Sequence, residues 1–200
     1  MKPRTATIER VTGETNITVQ LNLDGTGQVN VKTGYNFLDH MVTLFGWFGF
    51  FDLTIAVSTK PEQQPDDHHT VEDVAIALGQ AVRQAVGDME WGNVQGIARY
   101  GAFTAVMDEA LVLVAVDVYT RGLAVVDLPS VRPTIGDIST EMITHWFDAF
   151  ARESKTALHV KYLAGENQHH IFESAFKSFG KAMEQATRLE PRLAQQAPGK

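Results

Sequence analysis

The sequence predicts an α+β fold made from an internally duplicated β-β-β-α-β-α unit, with the helices packed between two sheets. Three observations predict it. Blocks of residues recur in the same order in the two halves of the chain, and each half alternates strand-period with helix-period apolar patterning. The 200 residues, 44% of them hydrophobic, are also enough to bury one sizeable core.

The repeat is read from identities. Placing His40 on His145 aligns His40–Phe45 with His145–Phe150, and the same offset puts Leu53 on Leu158 and Ile55 on Val160. Once the first half gives up four loop residues, His68-His69 fall on His169-His170, Glu72 on Glu173, Gly79 on Gly180 and Ala85 on Ala186. Upstream, Arg4 matches Arg99, Glu14 matches Glu109 and Gly27 matches Gly122. The halves run over 1–90 and 97–190, joined by the Gly-rich segment Gly87–Gly96; together they form one domain, with 191–200 as a C-terminal tail.

Taken in order, Ile17–Leu23 and Leu111–Val118 are apolar and rich in β-branched residues, and Asp24-Gly25 and Arg121-Gly122 follow as turn signals, so these are hairpin strands. Leu38, Met41, Val42 and Phe45 in one half, and Ile143, Trp146, Phe147 and Phe150 in the other, have helical spacing. The alternating strands Leu53–Val57 and Ala157–Tyr162 come next, then a loop holding Pro61 and Pro65 or Gly165. A longer helix closes each half, marked by Val71, Val74, Ala75, Leu78 and Val82, and by Ile171, Phe172, Ala175, Phe179 and Met183. Thr70 with Asp73 resembles a capping box, and Gly87 is placed as a C-cap.

Composition excludes several functions. The chain has no cysteine, which removes disulfides, thiolate zinc sites, iron–sulfur clusters and a cysteine nucleophile. Any metal must be held by nitrogen and oxygen. A net charge of −7 argues against nucleic-acid or polybasic membrane binding, and neither a signal peptide nor a membrane-length apolar run is visible, so the expected compartment is the cytoplasm.

Six of the seven histidines fall at repeat-equivalent positions, His159 being the exception. Residues four apart share a helix face, so His68 can share an ion with Glu72, and His169 with Glu173, while the adjacent His69 and His170 must look elsewhere. Neighbouring imidazoles that diverge suit two ions better than one. By the pseudo-twofold, His68, Glu72 and His170 would serve one ion and His169, Glu173 and His69 the other. His40 and His145 complete the shells, one each, in an order that symmetry leaves open. Three imidazoles and a carboxylate suit Mn²⁺, Fe²⁺, Co²⁺, Ni²⁺ or Zn²⁺ and leave positions for a substrate.

Phe37-Leu38-Asp39-His40-Met41, Asp66-Asp67-His68-His69-Thr70-Val71-Glu72-Asp73, Met107-Asp108-Glu109-Ala110-Leu111 and His169-His170-Ile171-Phe172-Glu173 with Lys177 closely resemble the imidazoleglycerol-phosphate dehydratases of histidine biosynthesis. The similarity covers about residues 4 to 192. It implies a duplicated α+β fold and a hydro-lyase with two Mn²⁺ per active site, other first-row divalent metals being alternatives. By motif, His40, His69, His169 and Glu173 would hold one ion and His68, Glu72, His145 and His170 the other. Glu14, Arg99, Arg121 and Lys177 would contact the substrate, the three basic residues as a phosphate clamp. The resemblance also implies a homo-24-mer, an octahedral assembly of trimers with sites formed where subunits meet.

The implied reaction turns imidazole-glycerol phosphate into imidazole-acetol phosphate, expelling a hydroxyl and a C–H proton with no carbonyl to acidify it. The substrate's imidazole must act as the electron sink, through an imidazolate and a diazafulvene-like intermediate. Glu14 is the candidate proton-transferring group, with Glu72 and Glu173 the other candidate catalytic carboxylates. Asp39 and Asp67, beside ligand histidines, would orient imidazoles or sit as solvated caps. One departure stands out: the family's Ser-x-Lys segment after the final Pro-Arg is absent, since the chain reads Pro191-Arg192-Leu193-Ala194-Gln195-Gln196-Ala197-Pro198-Gly199-Lys200. A truncation or a weaker phosphate clamp would each account for it. Competing readings are a binuclear metallohydrolase, which would cleave generic phosphate esters, and a metal-binding assembly protein with no position left for an imidazole.

Overall fold

The computed structural model describes residues 4–87, 96–119 and 121–193. The interior of the Gly87–Gly96 joint and the end of the tail, with Lys200, lie outside them. The first half contains β1 (Thr5–Val11), β2 (Asn16–Asn22), β3 (Val29–Lys32), α1 (Asn36–Phe48), β4 (Asp52–Val57) and α2 (His68–Val86). The second repeats the order with β5 (Tyr100–Met107), β6 (Ala110–Val118), β7 (Leu123–Asp127), α3 (Glu141–Ser154), β10 (Thr156–Ala164) and α4 (Gln168–Thr187). Between β7 and α3 it inserts a short hairpin, β8 (Thr134–Ile135) and β9 (Ile138–Ser139), that the repeat did not announce.

Each half forms a four-stranded sheet, β1-β2-β4-β3 and β5-β6-β10-β7. In both, the third strand joins its neighbour in parallel and the other pairings are antiparallel. Every second residue faces the helices: Ile17, Val19 and Leu21 on β2, and Ala110, Val112, Val114, Val116 and Val118 on β6, are buried. The outward faces carry the alternate residues, among them the exposed His159.

The four helices lie between the sheets, and they pair across the halves: α1 packs on α4, and α2 on α3. Two repeat-equivalent glycines allow these close crossings. A Cβ on Gly180 would sit 2.4 Å from the Phe45 carbonyl oxygen, and one on Gly79 would sit 2.7 Å from that of Phe150. Around the crossings, Phe45, Trp146, Phe147, Phe150, Phe176 and Phe179 are 0% exposed, with Phe45 and Phe179 stacked at 4.8 Å. Burying each such ring contributes roughly 1.5–3 kcal/mol, so the centre of the helix layer is a major source of the fold's stability.

One expectation fails. Thr70 and Asp73 do not form a capping box, because α2 already begins at His68 and both residues are buried within it. The first turn is served instead by Asp66, whose Oδ1 accepts from the His68 N–H at 3.0 Å. Gly87 does end α2, with φ +90° and its N–H donating to the Arg83 carbonyl at 3.0 Å.

Candidate metal centres

α2 starts with a His-His pair and α4 carries one in its first turn after Gln168, where helical N–H groups lack intrahelical partners. The Asn167 side chain accepts from the His169 N–H at 3.0 Å, matching the role of Asp66. Spacing then acts as expected: His68 Nε2 lies 3.5 Å from Glu72 Oε2, and His169 Nε2 lies 3.7 Å from Glu173 Oε2. The helix crossings supply the third donor. His145 on α3 brings Nε2 to 3.0 Å from Glu72 Oε1, and His40 on α1 brings Nε2 to 3.6 Å from Glu173 Oε1.

Two groups result, His68, Glu72, His145 and His40, His169, Glu173, each with its ligand atoms within 4.8 Å of one another. Within the chain, His145 lies with the α2 pair and His40 with the α4 pair. His69 and His170 turn away. His69 Nε2 lies 3.4 Å from Glu14 Oε2, and His170 Nδ1 is hydrogen-bonded to Glu109 Oε2 at 2.8 Å.

The donors suit a divalent cation. His145 Nε2 is buried and makes no hydrogen bond although Glu72 Oε1 is close, an arrangement that a cation between imidazole and carboxylate would satisfy. Glu173 is 7% exposed, and Lys177 Nζ at 3.2 Å partly balances its charge. Burial pushes the His169 imidazole down from its ordinary value, with Glu173 acting in the opposite sense; the neutral form so favoured is the one that ligates. The hydrogen bond from His170 and the N–H of Asn167 hold the Glu109 carboxyl down at about 2, and the same hydrogen bond raises His170.

The approaches to the helices are tied across the halves. Asp137, in the β8–β9 turn, accepts from the N–H groups of Asn36 at 2.6 Å and Phe37 at 3.0 Å, capping α1. Asp67, 9% exposed, accepts from the Ser139 backbone N–H and from its hydroxyl at 3.2 Å. Asp39 accepts from the Thr33 N–H at 2.7 Å and its hydroxyl at 2.6 Å. Among the described residues, neither Asp39 nor Asp67 is hydrogen-bonded or ion-paired to an imidazole; both instead hold backbone N–H groups, of Thr33 and Ser139. The carboxylate that does hold an imidazole is Glu109, and its repeat identity with Glu14 was the available signal.

The basic residues divide. Lys177 borders the α4 group through Glu173. Arg99 is 6% exposed, with Nε and Nη2 donating to Asp117 at 2.6 and 2.9 Å and its guanidinium 4.2 Å from the Tyr119 ring centre. Arg121 is exposed. Among the described residues, no hydrogen bond or ion pair joins Arg99 or Arg121 to either donor group.

Residues 33–183 match the family model described as imidazoleglycerol-phosphate dehydratase. The chain is 45% identical over 195 residues to the imidazoleglycerol-phosphate dehydratase of Chloroflexus aurantiacus, covering 98% of this chain and 92% of the relative. It is 46% identical over 193 residues to that of Desulforamulus reducens, covering 96% and 95%. The crystal structure of the Staphylococcus aureus enzyme superposes with a TM-score of 0.78 at 28% identity, over 92% of this chain and 99% of that one. The Pyrococcus furiosus structure gives 0.77 at 32% identity, over 92% and 94%.

Proposed function

The chain belongs to the imidazoleglycerol-phosphate dehydratase family, a family of hydro-lyases, and on that premise we propose that it dehydrates D-erythro-imidazole-glycerol phosphate to imidazole-acetol phosphate in histidine biosynthesis, at a two-metal site. The observation that carries the two-metal reading is the pair of symmetry-related donor groups, each two imidazoles and a carboxylate on crossing helices. The family match sets aside the metallohydrolase and assembly-protein readings. Among the described residues, no helix is long and apolar enough to cross a membrane, and we place the enzyme in the cytoplasm.

His40, His169 and Glu173 would hold one ion, and His68, Glu72 and His145 the other, with Mn²⁺ the proposed metal. His69 and His170 would be the fourth donors, each reaching the site of another chain, which makes the metals crosslinks in an octahedral 24-mer of trimers. When bound, two cations there would supply Lewis acidity to the substrate's imidazole. The chain's own groups do the rest. Glu14, exposed on the β1–β2 turn beside His69, takes the C–H proton next to the departing hydroxyl. Lys177 and Arg121 neutralise the phosphate, with Arg99 as the third member of the clamp.

Incubating Mn²⁺-reconstituted protein with imidazole-glycerol phosphate and following imidazole-acetol phosphate tests this directly. Product should form, and chelation should abolish it. Hydrolysis of the phosphate ester in its place would overturn the proposal.

A further inference from the structure

Asp73 follows Glu72 on α2, about 100° further round the helix, and is 7% exposed. Its Oδ1 accepts from Arg10 Nε at 3.0 Å and Nη2 at 2.7 Å, and its Oδ2 accepts from the Thr15 hydroxyl at 2.5 Å. Arg10 is on β1, and Thr15 closes the turn before β2. Within that turn the Thr12 N–H donates to the Thr15 carbonyl at 2.8 Å, and the Thr12 hydroxyl accepts from the N–H groups of Glu14 at 3.1 Å and Thr15 at 2.9 Å. Glu14 projects from this turn toward His69, on the same helix as Asp73. Turn and helix are thus tied from beneath by Asp73, at the place where Glu14 and His69 meet.

The second half builds the same corner without charge. By the repeat alignment Arg10, Thr15 and Asp73 correspond to Ala105, Ala110 and Ser174. The Ser174 hydroxyl donates to the Ala105 carbonyl at 2.8 Å and accepts from the Val112 N–H at 3.1 Å. A neutral side chain therefore suffices to seat the long helix on its sheet, whereas an ion pair at this depth carries a desolvation cost. The halves also differ in how the turn glutamate is held. Glu109 is fixed directly, accepting from His170 and from the N–H groups of Glu166 at 3.2 Å and Asn167 at 2.8 Å. Among the described residues, the Glu14 carboxylate has no hydrogen bond, only the 3.4 Å approach to His69. A carboxylate left open to receive a proton must take its position from the backbone under it.

We propose that Asp73, acting through Arg10 and Thr15, is a positioning residue that sets Glu14 for proton transfer while leaving its carboxylate unbonded. The proposal rests on the reading of Glu14 as the proton-transferring group. It is tested by steady-state kinetics on the full-length, Mn²⁺-reconstituted protein carrying Asp73→Asn, Thr15→Val, Thr15→Ser, Glu14→Gln, and Asp73→Asn combined with Glu14→Gln. Misplacing a reacting group by about 1 Å can cost about a hundredfold, so Asp73→Asn and Thr15→Val should lower kcat by about ten- to a hundredfold with KM and metal content near parental. Thr15→Ser, which keeps the hydroxyl, should retain turnover. In the Glu14→Gln background, adding Asp73→Asn should cost almost nothing more, because residues acting as a unit are not additive. A full multiplicative loss in that background, with Glu14→Gln itself impaired, would remove the brace alone. Parental turnover in Glu14→Gln would remove the reading of Glu14 and the brace with it. Should Asp73→Asn fail to fold, Thr15→Val and Thr15→Ser in the parental and Glu14→Gln backgrounds carry the same comparison.

Discussion

Replacing Gly180 by alanine tests whether the helix crossings set the geometry of the donor groups. The new Cβ would lie 2.4 Å from the Phe45 carbonyl oxygen and 3.0 Å from the Gly49 nitrogen, where ordinary contact begins at 3.4 Å. Both obstacles are backbone, so α1 and α4 must separate by about an ångström, as expected when a packed interior is overfilled. Such overpacking costs about 1–3 kcal/mol, offset by about 0.5–1 kcal/mol because alanine loses less backbone entropy than glycine in a helix. A net loss of about 1–2 kcal/mol corresponds to a fall in Tm of roughly 3–6 °C for a chain of this length. The same separation should spread His40 from Glu173 and His169, loosening that group while leaving His68, Glu72 and His145 on the other crossing intact. Gly79→Ala should mirror the effect, since its Cβ would meet the Phe150 carbonyl oxygen at 2.7 Å. Thermal melts of metal-free protein, with metal analysis after reconstitution, read both consequences. Parental Tm and undiminished metal binding at both groups in Gly180→Ala would refute the reasoning.

Glu173→Gln or His68→Ala should lower metal content and turnover together, while Arg121→Ala and Lys177→Ala should keep their metal and raise KM for the phosphorylated substrate, as elemental analysis and steady-state kinetics would show. The N–H groups of Thr26 and Gln28 hold the Asp52 carboxyl below its ordinary value. A pKa lower in the folded state contributes stability above the unfolded value of about 3.9 and loses it as pH falls through the folded one. Asp52→Asn should therefore melt below the parent at pH 7, and the difference between the two curves should shrink as the pH falls through the folded value. Because a ligand that binds only the assembled state shifts the equilibrium toward it, chelation should reduce the particle to trimers in light scattering and Mn²⁺ should restore it.

Much of the fold was legible because the duplication presents each pattern twice. The valines of β6 and the Phe45–Phe150 equivalence locate strand and helix on one core. The i, i+4 pairs on α2 and α4 followed from helix geometry alone. Assigning His145 to α2 and His40 to α4 did not, because it depends on which helix crosses which, a long-range packing choice set by Gly79 and Gly180. Thr70 and Asp73 misled for a related reason: their spacing satisfies a local capping pattern, yet Asp73 is occupied by Arg10 and Thr15, far away in sequence. Asp137 as the cap of α1 was invisible because it comes from the inserted hairpin of the opposite half.

Crystals of the Mn²⁺-loaded protein, measured at the manganese absorption edge, bear most directly on the claim that this chain holds two catalytic metals. Two anomalous peaks per chain are expected, one among His40, His169 and Glu173 and one among His68, Glu72 and His145, each completed by His69 or His170 of a neighbouring subunit. A single peak, or peaks away from these residues in protein that dehydrates its substrate, would contradict the account.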